Sequence, residues 1–467
     1  MSLIIYELNE VPKRIFDFYS EAFPNSSFNK LRYQSNLFET YTPDVGHLSP
    51  WITWPTLHRG VSNLHHEISD LGQDISSVNK DFPNVQEILS SKGIKVGVFG
   101  SLHSYPLPKN LDNYNFYVPD TFAAGDECYP SLLSHFQKFN LSMVRSNGRN
   151  VTNGIAVRDA KNFLLKAHKM GLSLKTSSRI GAQLLHESIN KDRLVRRRTT
   201  QIEIAFDLYF KQLINTNPDV SFFFTNHVAS SMHRYWPTLF PEDYENNKFN
   251  QSWLKKWSDE IPFTVKVANY QIGKLIKHCI KTNSELIVCS SMGQNAVNNV
   301  EPIFTQTIIN NINKLLSFLK ISKDDWEPRM SMSPLVVIRP RSEKVYEKIK
   351  KLKNIFINDT TIDYKKISSG EIRFDINLFN AKNIVVKDGE KEIDPNDLGI
   401  RNISLQDASG SYAYHIPEGI LLHYKPKLQR NSDIWRKVST LDFAPSLLSK
   451  FRLSYPNYMK GDNKLFI

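Results

Sequence analysis

The sequence predicts an α/β protein built on a mostly parallel central sheet. Three observations predict it. Short runs that are apolar at nearly every position recur along the chain, which marks strands buried on both faces. Helical patterns separate these runs, and strands alternating with helices imply crossover connections. The chain has 467 residues, 40% hydrophobic and 23% charged, enough for a large folded core carrying added modules.

The first apolar run, Leu3 to Leu8, opens the chain. Equivalent runs follow at Lys95 to Phe99, Val220 to Phe224 and Glu285 to Cys289. Val85 to Ser91 predicts a helix stopped at Gly93. Phe263 to Lys281 predicts a longer helix, with apolar residues at three- and four-residue steps. Two regions break the rhythm. Residues 120–215 are helix-rich and polar, contain Arg196-Arg197-Arg198, and read as an inserted helical cap. Residues 301–395 read as a small α/β insertion. That insertion is expected to hold a helix from Ile308 to Leu319, a strand from Leu335 to Ile338 and a Lys-rich helix from Ser342 to Leu352, then strand-like pieces near Ile355 and Ile372. The core is then assembled from residues 1–119, 216–300 and 396–467.

The net charge of +12 favours anionic partners, whether phosphorylated small molecules, nucleic acid, or an acidic glycan or membrane surface, against a plain reading as solvated surface. A short basic run on a helix reads as a solvated face, and no nucleic-acid module is present, so nucleic acid is not the expected partner. Cys128, Cys279 and Cys289 fit neither a zinc finger nor a disulfide framework. Cys289 ends an apolar run and reads as a buried small hydrophobe. No signal-peptide pattern opens the chain, and no stretch approaches the ~20 apolar residues of a membrane helix. A reduced, cytoplasmic setting is therefore expected, peripheral to a membrane at most.

In an open α/β sheet, ligands bind beyond the carboxyl ends of the strands. After the first run come Glu7, Asn9 and Glu10. After the Phe-rich run come Thr225, Asn226 and His227, then His233. After Cys289 come Ser290, Ser291, Met292, Gly293 and Gln294. Two further segments add chemistry. Ser49 to Gly60 sets Thr53 between Trp51 and Trp54 near a helix start, where a hydroxyl serves either as a cap or as a nucleophile beside amides that hold a phosphate. Gly410 to Ile420 places His415 just before a Pro-Glu-Gly turn.

Taken in order, these segments resemble the alkaline phosphatase superfamily, and within it the nucleotide pyrophosphatase/phosphodiesterase-like branch. The segments are the first strand with its polar end, Thr53-Trp54-Pro55, His66-Glu67, His233-Arg234-Tyr235-Trp236, Ser290 to Gln294, and His415 to Gly419. The closing stretch Ser439 to Leu448, with Pro456, Met459 and Gly461, is similar as well. The resemblance covers roughly residues 3–105, 215–300 and 400–465. It implies an α/β/α sandwich, two metal ions and a covalent intermediate on a hydroxyl. It places Thr53 at the nucleophile, Asn9 at an acidic ligand of the first strand, and His233 and His415 at histidine ligands. Departures are plain: Ala229 stands where an Asp is expected, Ser291-Met292 replaces an Asp-His pair, and Asn9 replaces an Asp. A full two-zinc site is therefore not expected. The expectation is one divalent metal, zinc, manganese or calcium. Asn9, Thr53, His233 and His415 would hold it, helped by replacements from Glu7, Glu10, His227, His58, His47 or Asp44. Glu7 and His227 are favoured, since each lies within two residues of a strand end.

The activity implied is that of a phosphoesterase or phospho-group transferase acting on an anionic phosphorylated substrate, a sugar or nucleotide. Asn226 and Gln294 would donate to phosphoryl oxygens, and Arg59 or Arg234 would supply charge. His233 or His415 would alternatively serve as acid or base. Trp51, Trp54 and Trp236 would stack on a sugar or base. The competing reading is a binding or regulatory protein on a decayed fold, argued from the missing Asp-His pair.

Overall fold

A computed structural model describes residues 2–147, 157–245, 249–298, 300–367, 369–429 and 434–466. Its centre is strand β1, Leu3–Leu8, buried at every position. Alternation along the strand sends Ile4, Tyr6 and Leu8 into one apolar cluster and Leu3 and Ile5 into another, so both faces of the sheet are covered. The other early strands are β2 (Ser35–Tyr41), β3 (Val96–Phe99), β4 (Tyr114–Val118), β5 (Val220–Thr225) and β6 (Glu285–Cys289). Two late strands, Glu418–Tyr424 and Trp435–Ser439, complete an eight-stranded sheet. Its order is Trp435–Ser439, β2, Glu418–Tyr424, β6, β1, β5, β3, β4. Glu418–Tyr424 runs antiparallel to both neighbours, and every other pair is parallel.

Register sets where chemistry can gather. Leu8 pairs with Thr225 of β5, and Glu7 pairs with Cys289 of β6. The carboxyl ends of three strands remote in sequence are thus level and adjacent. Beyond them β7 (Gly293–Ala296) pairs antiparallel with Ala413–Ile416, placing His415 opposite Gln294.

The helices agree with the sequence reading in part. Val85–Ser91 is helical, its Asn84 side chain caps the Glu87 amide, and Gly93 follows at φ +83°. The long helix extends beyond both expected ends, from Glu260 to Thr282. Helices at Ser134–Asn147, Val157–Met170, Leu174–Ile189 and Arg197–Thr216 occupy most of the expected helical region, of which residues 148–156 lie outside the described residues. The expected helix from Ile308 is corrected. Thr305–Ile309 is a strand paired with Ile400–Ser404, and the helix is only Ile312–Phe318. Asn311 decides the boundary by accepting the Lys314 amide. The Lys-rich helix is likewise shorter, Glu343–Ile349, and tightens into a 3-10 turn over Lys350–Asn354. Strands at Val336–Pro340, Ile355–Ile357 and Ile372–Asp375 share an apolar cluster with Leu315, Leu316 and Ile349.

The basic run is not a solvated face. Arg196 Nε lies 3.0 Å from Glu260, Arg197 Nε lies 3.0 Å from Glu187, and Arg198 lines a cleft beside Asn226. All three cysteines are free and buried. Among the described residues, no helix is long and apolar enough to cross a membrane.

Candidate functional site

Just past β1, the chain turns sharply. Glu10 takes a left-handed backbone conformation, φ +59°, unusual for a residue with a side chain. That turn brings its carboxylate against two histidines from distant segments. His233 comes from the helix His227–Tyr235, which follows β5. His415 comes from the strand Ala413–Ile416. Glu10 Oε2 lies 3.0 Å from His233 Nε2 and 3.3 Å from His415 Nε2. One donor atom from each of the three lies within 4.8 Å of the others.

The orientation of both rings is fixed from behind. His233 Nδ1 donates to the Ala413 carbonyl at 2.6 Å, and His415 Nδ1 donates to the Leu48 carbonyl at 2.7 Å. A carbonyl only accepts, so each Nδ1 carries a proton and each Nε2 is turned toward Glu10. Neutral imidazoles would then aim lone pairs at a carboxylate. A proton or a metal cation between them removes that repulsion. The electrostatics follow. Burial pushes the Glu10 carboxyl up, but the adjacent His415 and His233 outweigh it and hold the group well below its usual range. Burial pulls His415 down, but Glu10 and the Leu48 carbonyl hold it above the ordinary imidazole value.

Around this hub, amides complete a network. Glu10 Oε1 accepts from Asn9 Nδ2 at 2.7 Å, and Oε2 accepts from Gln294 Nε2. Asn9 also donates to Asn226 Oδ1 at 2.7 Å and accepts from Trp54 Nε1 at 2.8 Å. Gln294 gives a second contact to the Ala229 carbonyl at 3.2 Å, and its Oε1 is buried without a partner among the described residues. Thr53 sits on the next helix, Pro50–Arg59, fully buried, with its Oγ1 2.8 Å from Ser291 Oγ. A cavity of about 180 Å³ opens beside Asn226, lined also by Ser230, Arg198, Phe99, Phe122 and Phe224.

The donor set fits a transition metal. Two imidazoles and one carboxylate are the ligands of open catalytic zinc sites, whereas calcium takes six to eight oxygens. Within the expected ligand set, the structure unites His233 and His415 with Glu10. It does not bring Glu7 or His227 to them. Glu7 shares the sheet face of Leu3 and Ile5, and there it meets His58 Nε2 at 2.6 Å and Ser101 Oγ at 2.6 Å. His227 spends one ring nitrogen on Thr225 Oγ1 and the other on the Thr264 carbonyl at 3.1 Å. Burial lowers its pKa to about 3. His227 and His233 are six residues apart on one helix, about 240° around it, so they face different ways. Asn9 joins the network as an amide, with both side-chain ends already engaged. Asp44 is taken by Thr42, Thr56 and the Asn63 amide. His47 lies at the margin, with its ring 6.5 Å from that of His415.

Other expectations are also corrected. Arg59 is buried and donates to the Phe82 carbonyl and Asn79 Oδ1, holding a turn rather than an anion. Arg234 pairs with Asp407 at 2.9 Å. Trp236 is fully buried with its Nε1 on Asp243, and Trp54 is fully buried as well, so neither offers a stacking face. Ser49, not Thr53, caps the helix Pro50–Arg59. It takes the Trp51 amide on its hydroxyl and the Ile52 and Thr53 amides on its carbonyl. Those amides are not open to an anion. The sequence reading underrated Glu10, and side-chain parity along β1 was the signal that separates it from Glu7.

Known proteins offer distant likenesses. Murine ectonucleotide pyrophosphatase/phosphodiesterase 5 is similar to this chain with 11% identity and a TM-score of 0.42, covering 99% of this chain and 98% of that one. An inactive variant of the murine protein in complex with AMP gives 11% identity and a TM-score of 0.40, covering 99% and 97%. The human protein gives 10% identity and a TM-score of 0.39, covering 98% and 96%. No family model matches the chain, and no curated protein matches it.

Proposed function

We propose that this protein is a metal-dependent phosphoesterase or phospho-group transferase acting on an anionic phosphorylated substrate. The observation that carries the reading is the Glu10–His233–His415 cluster, with both Nε2 atoms directed at one carboxylate oxygen. Three protein ligands leave a coordination position for water or substrate, the arrangement of catalytic rather than structural metal sites. A metal bound there would polarise a phosphoryl oxygen and lower the pKa of a bound water. The order of motifs along the chain, similar to that of the alkaline phosphatase superfamily, supports the same reaction class. So does the excess of positive charge.

The chain's own residues have distinct tasks in this reading. The Ala413 and Leu48 carbonyls fix the two imidazoles so that binding costs no reorientation. Asn9 and Gln294 hold the Glu10 carboxylate. Asn226 commits its oxygen to Asn9, which leaves its amide hydrogens for a phosphoryl oxygen. The cavity beside it takes the organic part of the substrate. Thr53 is the proposed nucleophile, with Ser291 Oγ as hydrogen-bond partner of its hydroxyl.

Metal content of protein purified without chelator tests the centre. About one equivalent of zinc or manganese is expected, lost in His233→Ala and in His415→Ala. Protein that takes up no metal from excess ion overturns the metal reading and leaves a binding protein. Turnover of aryl phosphates and phosphodiesters then tests Thr53. Thr53→Ala is expected to lose at least about a hundredfold in kcat, with metal retained. Full activity in that variant overturns the covalent route alone.

A further inference from the structure

Helix Leu174–Ile189 is inside out. Surface helices normally bury an apolar stripe and expose a polar one. Here the inward face is mostly polar, with Ile180 packed against the core. Arg179 pairs with Glu203, Gln183 donates to the Arg193 carbonyl at 2.8 Å, and the buried Glu187 binds Arg197. The outward face carries Leu174, Leu185 and Ile189, which are 81%, 68% and 86% exposed. Between them lie the exposed small residues Ser178, Gly181 and Ala182. The preceding helix, Val157–Met170, also exposes Leu164 and Leu165.

Directly beside this helix lies a cleft of about 620 Å³, walled by Arg179, Gln183, Arg196 and the helix Glu260–Thr282. The cleft is basic. Lys266, Lys274 and Lys277 line it, and no ion pair engages Lys266 or Lys277 among the described residues. Lys175 and Arg179 lie 4.3 and 4.5 Å from the centre of the Tyr270 ring on its wall.

We propose that this face docks on an anionic lipid bilayer. The outward leucine and isoleucine side chains enter the acyl boundary, and the basic cleft receives phosphate headgroups. Two features select a lipid over other occupants. A soluble polyanion has no use for the apolar stripe, and a second copy of the chain would set one basic cleft near another in a molecule of net charge +12. The helix has 16 residues and lies in the interface without crossing it.

Flotation with lipid vesicles tests the proposal, using the whole protein. Vesicles of phosphatidylcholine with about one-third phosphatidylglycerol should carry the protein up, and pure phosphatidylcholine should carry at least about tenfold less. Leu185→Ser with Ile189→Ser, and separately Lys266→Ala with Lys277→Ala, should each lower the anionic-vesicle partition about tenfold. The exposed apolar pair and the two exposed lysines are expected to tolerate these changes, and an unchanged melting curve verifies it. Failure to float with either vesicle overturns the proposal. So does flotation that survives the Leu185/Ile189 change, or a homodimer in light scattering that the same change dissociates.

Discussion

Three histidine–carboxylate associations sit on one sheet, and they differ in what they leave over. Glu285 begins β6, at the opposite end from the candidate site. Its carboxylate meets His423 Nε2 and, at 2.8 Å, Lys450. Glu7 lies within β1, bonded to His58 and Ser101, with no exposure at all. Glu10 lies past the end of β1, bonded to two amides and facing two imidazoles, one of them about a quarter exposed. The first two have one histidine each, bound through a single ring nitrogen, and His423 Nδ1 is buried without a partner among the described residues. The third has two histidines converging on a single oxygen, with their other nitrogens pinned. A single pair contributes to the fold, whereas convergent donors held from behind offer a binding position.

That contrast is open to attack by mutation. The largest effect is expected from Glu7→Ala. It strands His58 and Ser101 in the core and leaves a cavity, and should cost about 4 kcal/mol in denaturant unfolding. The surviving folded protein should still take up metal. Metal loss from a folded Glu7→Ala protein would break the distinction between the two clusters.

Glu10→Ala, measured for metal affinity, comes next. Removing one of three ligands should weaken binding by at least about a hundredfold, while the fold persists. Equal affinity in the variant would place the metal elsewhere.

Glu285 gives a smaller, pH-dependent effect. Burial raises its carboxyl, but the His423 hydrogen bond and Lys450 outweigh this and bring it down to about 2. A carboxyl depressed on folding contributes stability above its ordinary value near 4.5, and that contribution fades as pH falls toward 2. Glu285→Gln should therefore cost about 2 kcal/mol at neutral pH, discounted for the solvent that reaches Lys450. The gap to the parent protein should close in denaturation curves taken below pH 4.5. A gap independent of pH would remove the ionic account of this pair.

Much of the fold was legible because strand burial writes itself as continuous apolar runs. β1, β3, β5 and β6 stand where those runs predict them. The helix boundary near Ile308 was not legible, because Thr305 to Ile309 pairs with Ile400–Ser404, nearly a hundred residues later. The candidate site was half legible. The polar residues after β1 and β5, and the histidine at 415, mark it. Which of Glu7 and Glu10 faces it depends on side-chain alternation and on a positive φ, and neither appears in a count of residues from the strand end. The arginine and tryptophan roles failed for a common reason. Their partners, Phe82 and Asn79, Asp407, and Asp243, lie outside the motifs that drew attention to them.

The left-handed turn at Glu10 has a consequence for how this protein would drift. Residues other than glycine resist that conformation by about 1 kcal/mol, so position 10 favours glycine on conformational grounds alone. Glu10→Gly and Glu10→Ala delete the same carboxylate, yet the glycine variant should unfold at higher denaturant. Among variants that have lost the carboxylate, thermal resistance would thus favour glycine over alanine at this one site. In the chain as it stands, the two imidazoles and two amides that meet the carboxylate are what set against that preference.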